Sequence, residues 1–322
     1  MLPDHVEDLL APAARAVEQA RRTLIDRLQA AGYELVEPPL VEHLEALLTG
    51  TGHDLEAVTF KLVDPLSGKL LGVRSDITPQ IARIDATYFS DDGVRRFCYA
   101  GSVLRARAGV GDSRVLTQVG AELFGEPSVA GDTEILSLLV EAAREVNAAP
   151  LRIDLGHVGL FKALLAHFEL PETIGSQLDA ALAAKASSTI QAMEAVPAAA
   201  RAVFVQLTQL FGEADAVLAQ AQRDLPRAAP IERALSELAA AVQAARAAGA
   251  LPSVDLADLP GLDYHTGLVF VAYLEGTTRA VARGGRYDGV GEAFVASDAP
   301  RRPATGFSFT DLRALATLTA NR

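Results

Sequence analysis

Residues 95–125 read RRFCYAGSVLRARAGVGDSRVLTQVGAELFG. Two strand-like runs, RRFCYAGSVLRAR (95–107) and RVLTQVGAELFG (114–125), enclose AGVGDS, a short glycine-containing loop. A parallel crossover needs a dozen or more residues, so a connection this short joins antiparallel strands. In the second run, alternation places Gln118, Gly120 and Glu122 on one face and Val119, Ala121 and Leu123 on the other. The apolar face belongs to a core. The polar face is either solvent-exposed or the floor of a small polar pocket, and alternation alone leaves both open.

Working outward, FKLVDPLSGKLLGVR (60–74) reads as a second hairpin around a Pro/Ser/Gly turn. TPQIARIDATYF (78–89) returns to helical period with Asp76 or Thr78 as a cap, and Arg74, Asp76 and Thr78 share a side if the preceding strand runs that far. Residues 4–31 have helical spacing and Gly32 ends that helix; Pro38-Pro39 keeps GYELVEPPLVE (32–42) extended. GDTEILSLLVEAAREVNA (131–148) is a helix with Asp132 as N-cap, and LRIDLGHV (151–158) is a strand. The Ala-rich stretch 171–250 is helical throughout and reads as a separate inserted domain between 1–170 and 251–322. Strand texture resumes in LDYHTGLVFVAYL (262–274), TTRAVARGG (277–285) and PATGFSF (303–309), before a last helix, DLRALATLTA (311–320). Strands joined by short turns as well as helices predict an α+β fold, an antiparallel sheet flanked by helices.

Composition narrows the function classes. The 322 residues suffice for about two domains. With 50% hydrophobic and 22% charged residues and no apolar run long enough to span a bilayer, a membrane protein is not expected. The first residues lack the basic start and apolar core of a signal peptide, and the single cysteine, Cys98, excludes an internal disulfide; both are compatible with a cytoplasmic location. A net charge of −12 without a basic cluster argues against a nucleic-acid partner. No metal is expected, because the six histidines are scattered and no HxxxH or CxxC occurs. No cofactor is expected either: GVGDS lacks the lysine and following helix of a phosphate loop.

LPGLDYHTGLVF (259–270) gathers an acid, a phenol and an imidazole, with Asp263 and His265 facing one way and Tyr264 and Thr266 the other if it is a strand. A lone histidine beside apolar residues is more often structural than ligand-binding. Paired glycines in GGRYDG (284–289) could equally make a turn.

The order of the segments is more specific than any one of them. EDLLAP, GYELVEPPLVE, VRSDITPQIAR, YAGSVLRAR, LTQVGAELFG, GLDYHTGLVF, GGRYDG and ATGFSFTDLR resemble, in sequence, the successive motifs of the class II histidyl-tRNA synthetase catalytic core. That resemblance implies a class II synthetase-like antiparallel sheet, with 171–250 where the family carries a helical insertion. It also implies an amino-acid pocket: Asp76 and Thr78 at the α-amino end, Gln118 and Glu122 within it, Tyr264, His265 and Tyr287 toward the imidazole, Gly284, Gly285 and Arg286 in the motif loop, and Arg105 facing a carboxylate. Asp76 and Glu122 suit an ammonium.

Departures from the family pattern decide the expected function. Where the synthetase motif similar to RGLDYY starts with an arginine, Pro260 stands, removing a cation that stabilises the transition state. Arg105 is kept, but the glutamate two residues on is Arg107; Arg313 survives at the triphosphate end, so Arg105 and Arg313 form at most a vestigial nucleotide site. The chain ends at Arg322, where the synthetase would continue into an anticodon-binding domain. A histidine pocket without aminoacylation chemistry resembles the regulatory subunits of ATP phosphoribosyltransferase. This implies a homodimer core, suggested by GYELVEPPLVE, a short-form catalytic subunit as partner, and histidine as feedback effector in the first step of histidine biosynthesis. Two rival readings are an enzyme that still adenylates histidine for a non-tRNA acceptor, and a scaffold with a vestigial pocket.

Overall fold

A computed structural model of the chain describes residues 1–49, 52–89, 93–107, 113–258, 264–294 and 301–319. Its strands are β1 (Glu34–Leu35), β2 (Val41–His43), β3 (Phe60–Val63), β4 (Leu70–Val73), β5 (Arg95–Leu104), β6 (Val115–Phe124), β7 (Leu151–His157), β8 (Phe211–Glu213), β9 (Leu251–Asp255), β10 (Leu268–Leu274), β11 (Ala280–Arg286) and β12 (Ala304–Phe309). Nine of them form one sheet in the order β1-β5-β6-β12-β11-β10-β7-β9-β8, and β2-β4-β3 form a small second sheet. The middle of the large sheet is antiparallel as expected; β1–β5 and β7–β9 are parallel pairs toward its edges.

The opening hairpin pairs in continuous register from Arg95↔Phe124 to Leu104↔Val115. Its apolar face, with Cys98, Val119, Ala121 and Leu123, joins a buried cluster with residues of the helices Ala13–Ala30 and Val129–Glu145, such as Leu24, Leu28 and Leu139. On the opposite face Tyr99 packs with Ile77 and Ile81 near the helix Thr78–Tyr88. Between residues 171 and 250 the chain is helical apart from β8, and Leu178, Phe204 and Leu235 belong to the same cluster as Leu155 and Phe270 of the sheet. No helix among the described residues is long and apolar enough to cross a membrane.

Several local expectations are corrected. The first helix begins at Ala13, not residue 4, because Pro12 can be accommodated only at the start of a helix. Its end is as read, with Gly32 at φ +87°. Ser128, not Asp132, caps the next long helix: its side chain accepts from the Ala130 N–H, and Asp132 is buried one turn in. Gly284, Gly285 and Arg286 do not form a turn; they are the last residues of β11, paired with β10 and β12 on either side. The turn falls instead at Gly289, φ +85°.

Candidate functional site

Register creates the site. Gly306 of β12 lies between Glu122 of β6 and Gly285 of β11, and Ser308 lies between Gly120 and Arg283. Three adjacent strands therefore lack a side chain near one point, and larger groups fold into the space. The Glu122 carboxylate lies where a Gly306 methyl would be, the Tyr99 hydroxyl covers Gly120, and the His265 ring is 2.9 Å from the position of a Gly285 Cβ.

The resulting cavity, about 170 Å³, is walled by Asp76, Thr78, Arg105, Gln118, Glu122, Tyr264, His265 and Tyr287 with Gly284 and Gly285. Gln118 and Glu122 are each 1% exposed, so the polar face of β6 is a pocket floor and not a solvated surface. β4 ends at Val73, and Arg74 turns away from the cavity to the carbonyls of Ser102 (2.8 Å) and Pro38 (2.7 Å), so it does not share a side with Asp76 and Thr78. The Asp76 carboxylate accepts from the Thr78 N–H at 3.0 Å. Thr78 is not the cap; its hydroxyl donates to Glu122. Tyr264 and His265 precede β10, so strand alternation does not separate them: both line the cavity, with ring centroids 4.1 Å apart. Asp263 and Pro260 lie outside the described residues.

Two expected residues lie elsewhere. Arg286 is buried beneath the site, where its Nε donates to both Asp132 oxygens (3.1 and 3.0 Å) and its other nitrogens to Glu126 O, Ser128 O and Asp288 Oδ1. Arg313 binds Ser113 Oγ and Glu7 and lines a different hollow. Arg107 is exposed. Sequence reasoning missed Tyr99, Arg283 and Ser308; their signal was the same alternation that marked Glu122, but it acquires meaning only with the strand register. Among the described residues no His/Cys/Asp/Glu group could hold a metal.

Electrostatics single out Glu122. Its carboxylate accepts from Tyr287 (2.5 Å), Thr78 (2.8 Å) and Tyr99 (3.2 Å). Burial nevertheless pushes its pKa to about 8, the three hydroxyls pulling against the burial and the nearby Asp76 adding to it. Both tyrosines rise well above the ordinary phenol value, chiefly because they are buried. Between about 4.5 and 8 the folded chain thus keeps a proton that the unfolded chain releases, so stability falls as pH rises through that window and levels off above it. Urea unfolding at pH 5.5 and 8 is expected to show this loss, and Glu122→Gln, which cannot ionise, should remove that part of the slope. An unchanged slope in the variant would contradict it.

The cavity thus presents two carboxylates, two arginines, phenols and an amide, a donor and acceptor set suited to a small zwitterion with a polar ring. Comparison with known proteins gives the class first: residues 5–315 match the family model described as histidyl-tRNA synthetase. The structure agrees. An ATP phosphoribosyltransferase regulatory subunit/histidyl-tRNA synthetase from Bacillus halodurans superposes with a TM-score of 0.88 at 25% identity, covering 100% of this chain and 83% of that one. A chain of the ATP phosphoribosyl transferase complex from Thermotoga maritima shares the fold at TM-score 0.68 and 18% identity, over 91% and 97%. The ATP phosphoribosyltransferase regulatory subunit of Ralstonia nicotianae is 48% identical over 98% of this chain and 80% of its own length. The chain belongs to the family of ATP phosphoribosyltransferase regulatory subunits, built on the synthetase fold.

Proposed function

We propose that this chain works in the cytoplasm as the non-catalytic regulatory subunit of ATP phosphoribosyltransferase, with a homodimer core, activating a short-form catalytic subunit and transmitting feedback inhibition by histidine. The names of its relatives support the partner. The observation that carries the histidine reading is the convergence of eight expected side chains on one cavity, with Asp76 and Glu122 as acids and Arg105 in the same wall. Glu122 and Asp76 take the ammonium, an arginine of the wall takes the carboxylate, and Tyr264, His265 and Tyr287 surround the ring. Aminoacylation is lost: Pro260 and Arg107 replace the cation and the glutamate that adenylation would use.

Histidine acts at a distance by favouring one assembly state over another, a coupling of about 1–3 kcal/mol, or roughly 5- to 150-fold. The test is phosphoribosyl transfer by a short-form catalytic subunit, expected near background alone and clearly raised once this chain is added. Robust ATP–pyrophosphate exchange with histidine by this chain alone would instead favour a surviving adenylating enzyme.

A further inference from the structure

Among the described residues two arginines line the cavity, Arg105 and Arg283. Arg105 follows the end of β5, bridged to Thr59 at the cavity's edge. Arg283 lies inside β11, with Cα partners Val271 on one side and Ser308 on the other, so its backbone is fixed from both flanks. By alternation its side chain leaves the sheet on the same face as Gly285. Although it is an exposed cation beside an acid-rich cavity, its guanidinium makes no hydrogen bond or ion pair among the described residues.

Its charge is felt at the Tyr264 phenol, at Asp258 and at Tyr273, in each case opposing the rise that burial produces. Glu122, Gly306 and Gly285 are neighbours across three strands, and Arg283 is two residues along from Gly285. Between the Glu122 and Arg283 backbones the ligand space therefore spans about 10 Å across the strands and about 7 Å along them. Gly306, Gly285 and Gly120 give this floor no side chains of their own, and the long Glu122 and Arg283 side chains flank it from opposite corners, with His265 and Ser308 in the same wall. The Ser308 hydroxyl lines the same wall beside Arg283.

We propose that Arg283 recognises the carboxylate of the amino-acid ligand, with Ser308 beside it, and so separates amino acids from the corresponding amines; this rests on the histidine-pocket reading above. A guanidinium with no hydrogen-bonded partner can offer a carboxylate two parallel N–H donors, which Lys cannot reproduce. The test is calorimetry of the full chain with L-histidine and with histamine, which keeps the ring and the amine but lacks the carboxylate.

Arg283→Ala, a change at an exposed position, should weaken histidine about 10- to 100-fold and leave histamine within about twofold, with Arg283→Lys between. Equal weakening of both ligands, or unchanged histidine binding, would overturn the assignment while leaving the pocket reading intact. So would a carboxylate-dependent loss that appears only in Arg105→Ala. A wild-type chain that binds neither ligand would sink the pocket reading and the assignment together.

Discussion

Gly306→Ala should abolish histidine binding. A methyl at that position would occupy the space of the Glu122 carboxylate, and the backbone oxygen of Ala121 lies only 2.7 Å from it. Glu122 cannot step aside, because Tyr287, Thr78 and Tyr99 hold both of its oxygens. Either the carboxylate leaves the floor or β12 moves away from β6; both outcomes destroy the acidic end of the cavity. Because a displaced central strand could also destabilise the fold, Glu122→Gln is the companion variant. It keeps the volume but has no proton to release when an ammonium arrives, so the carboxylate–ammonium pair cannot form in the complex; histidine should weaken by at least about 30-fold, the scale of losing one partner of a buried, hydrogen-bonded charge pair. Calorimetry reads both. Wild-type affinity in Glu122→Gln would mean that the ammonium is not bound at this floor.

The second large effect is on stability. Arg286 is 7% exposed and Asp132 3%, and the guanidinium is shared among Asp132, Asp288 and two carbonyls. The pair ties the end of β11 to the first turn of the helix Val129–Glu145, directly under the cavity. Arg286→Met leaves Asp132 buried without its cation, and breaking such a pair costs about 3–5 kcal/mol. For a chain of this size that corresponds to a fall of about 4–7 °C in Tm. Removing both charges, as in Arg286→Met/Asp132→Leu, should recover much of the loss, since no unpaired charge then stays buried. Thermal denaturation followed by circular dichroism decides it: a single variant melting within about 2 °C of the parent would contradict this account.

Those two effects also mark the limit of what the sequence could tell. Alternation in residues 114–125 was enough to put Glu122 on a polar face and Val119 in the core, because a strand's faces are fixed by its own chain. Whether that face was a pocket floor depended on Gly306 and Gly285, far along the chain, being brought alongside. The same ignorance of register made GGR look like a turn, when its glycines are small because Phe270, Gly306 O and His265 crowd them. Asp132 looked like a cap because caps are local, whereas its partner, Arg286, is 154 residues on. Helical spacing in residues 4–12 extended the first helix too far upstream; it starts just after Pro12, where a proline is accommodated. The resemblance carried the list of pocket residues, and eight of them meet around one cavity.

The account rests most heavily on histidine acting through this chain upon another protein's reaction. The direct measurement is phosphoribosyl transfer by a short-form catalytic subunit, alone, with this chain, and with this chain plus histidine, repeated with Glu122→Gln. The account predicts that the chain raises the rate, that histidine lowers it, and that the variant still activates but needs at least about 30-fold more histidine for inhibition. A rate that rises with the chain but does not respond to histidine, or that responds equally in the variant, would contradict it.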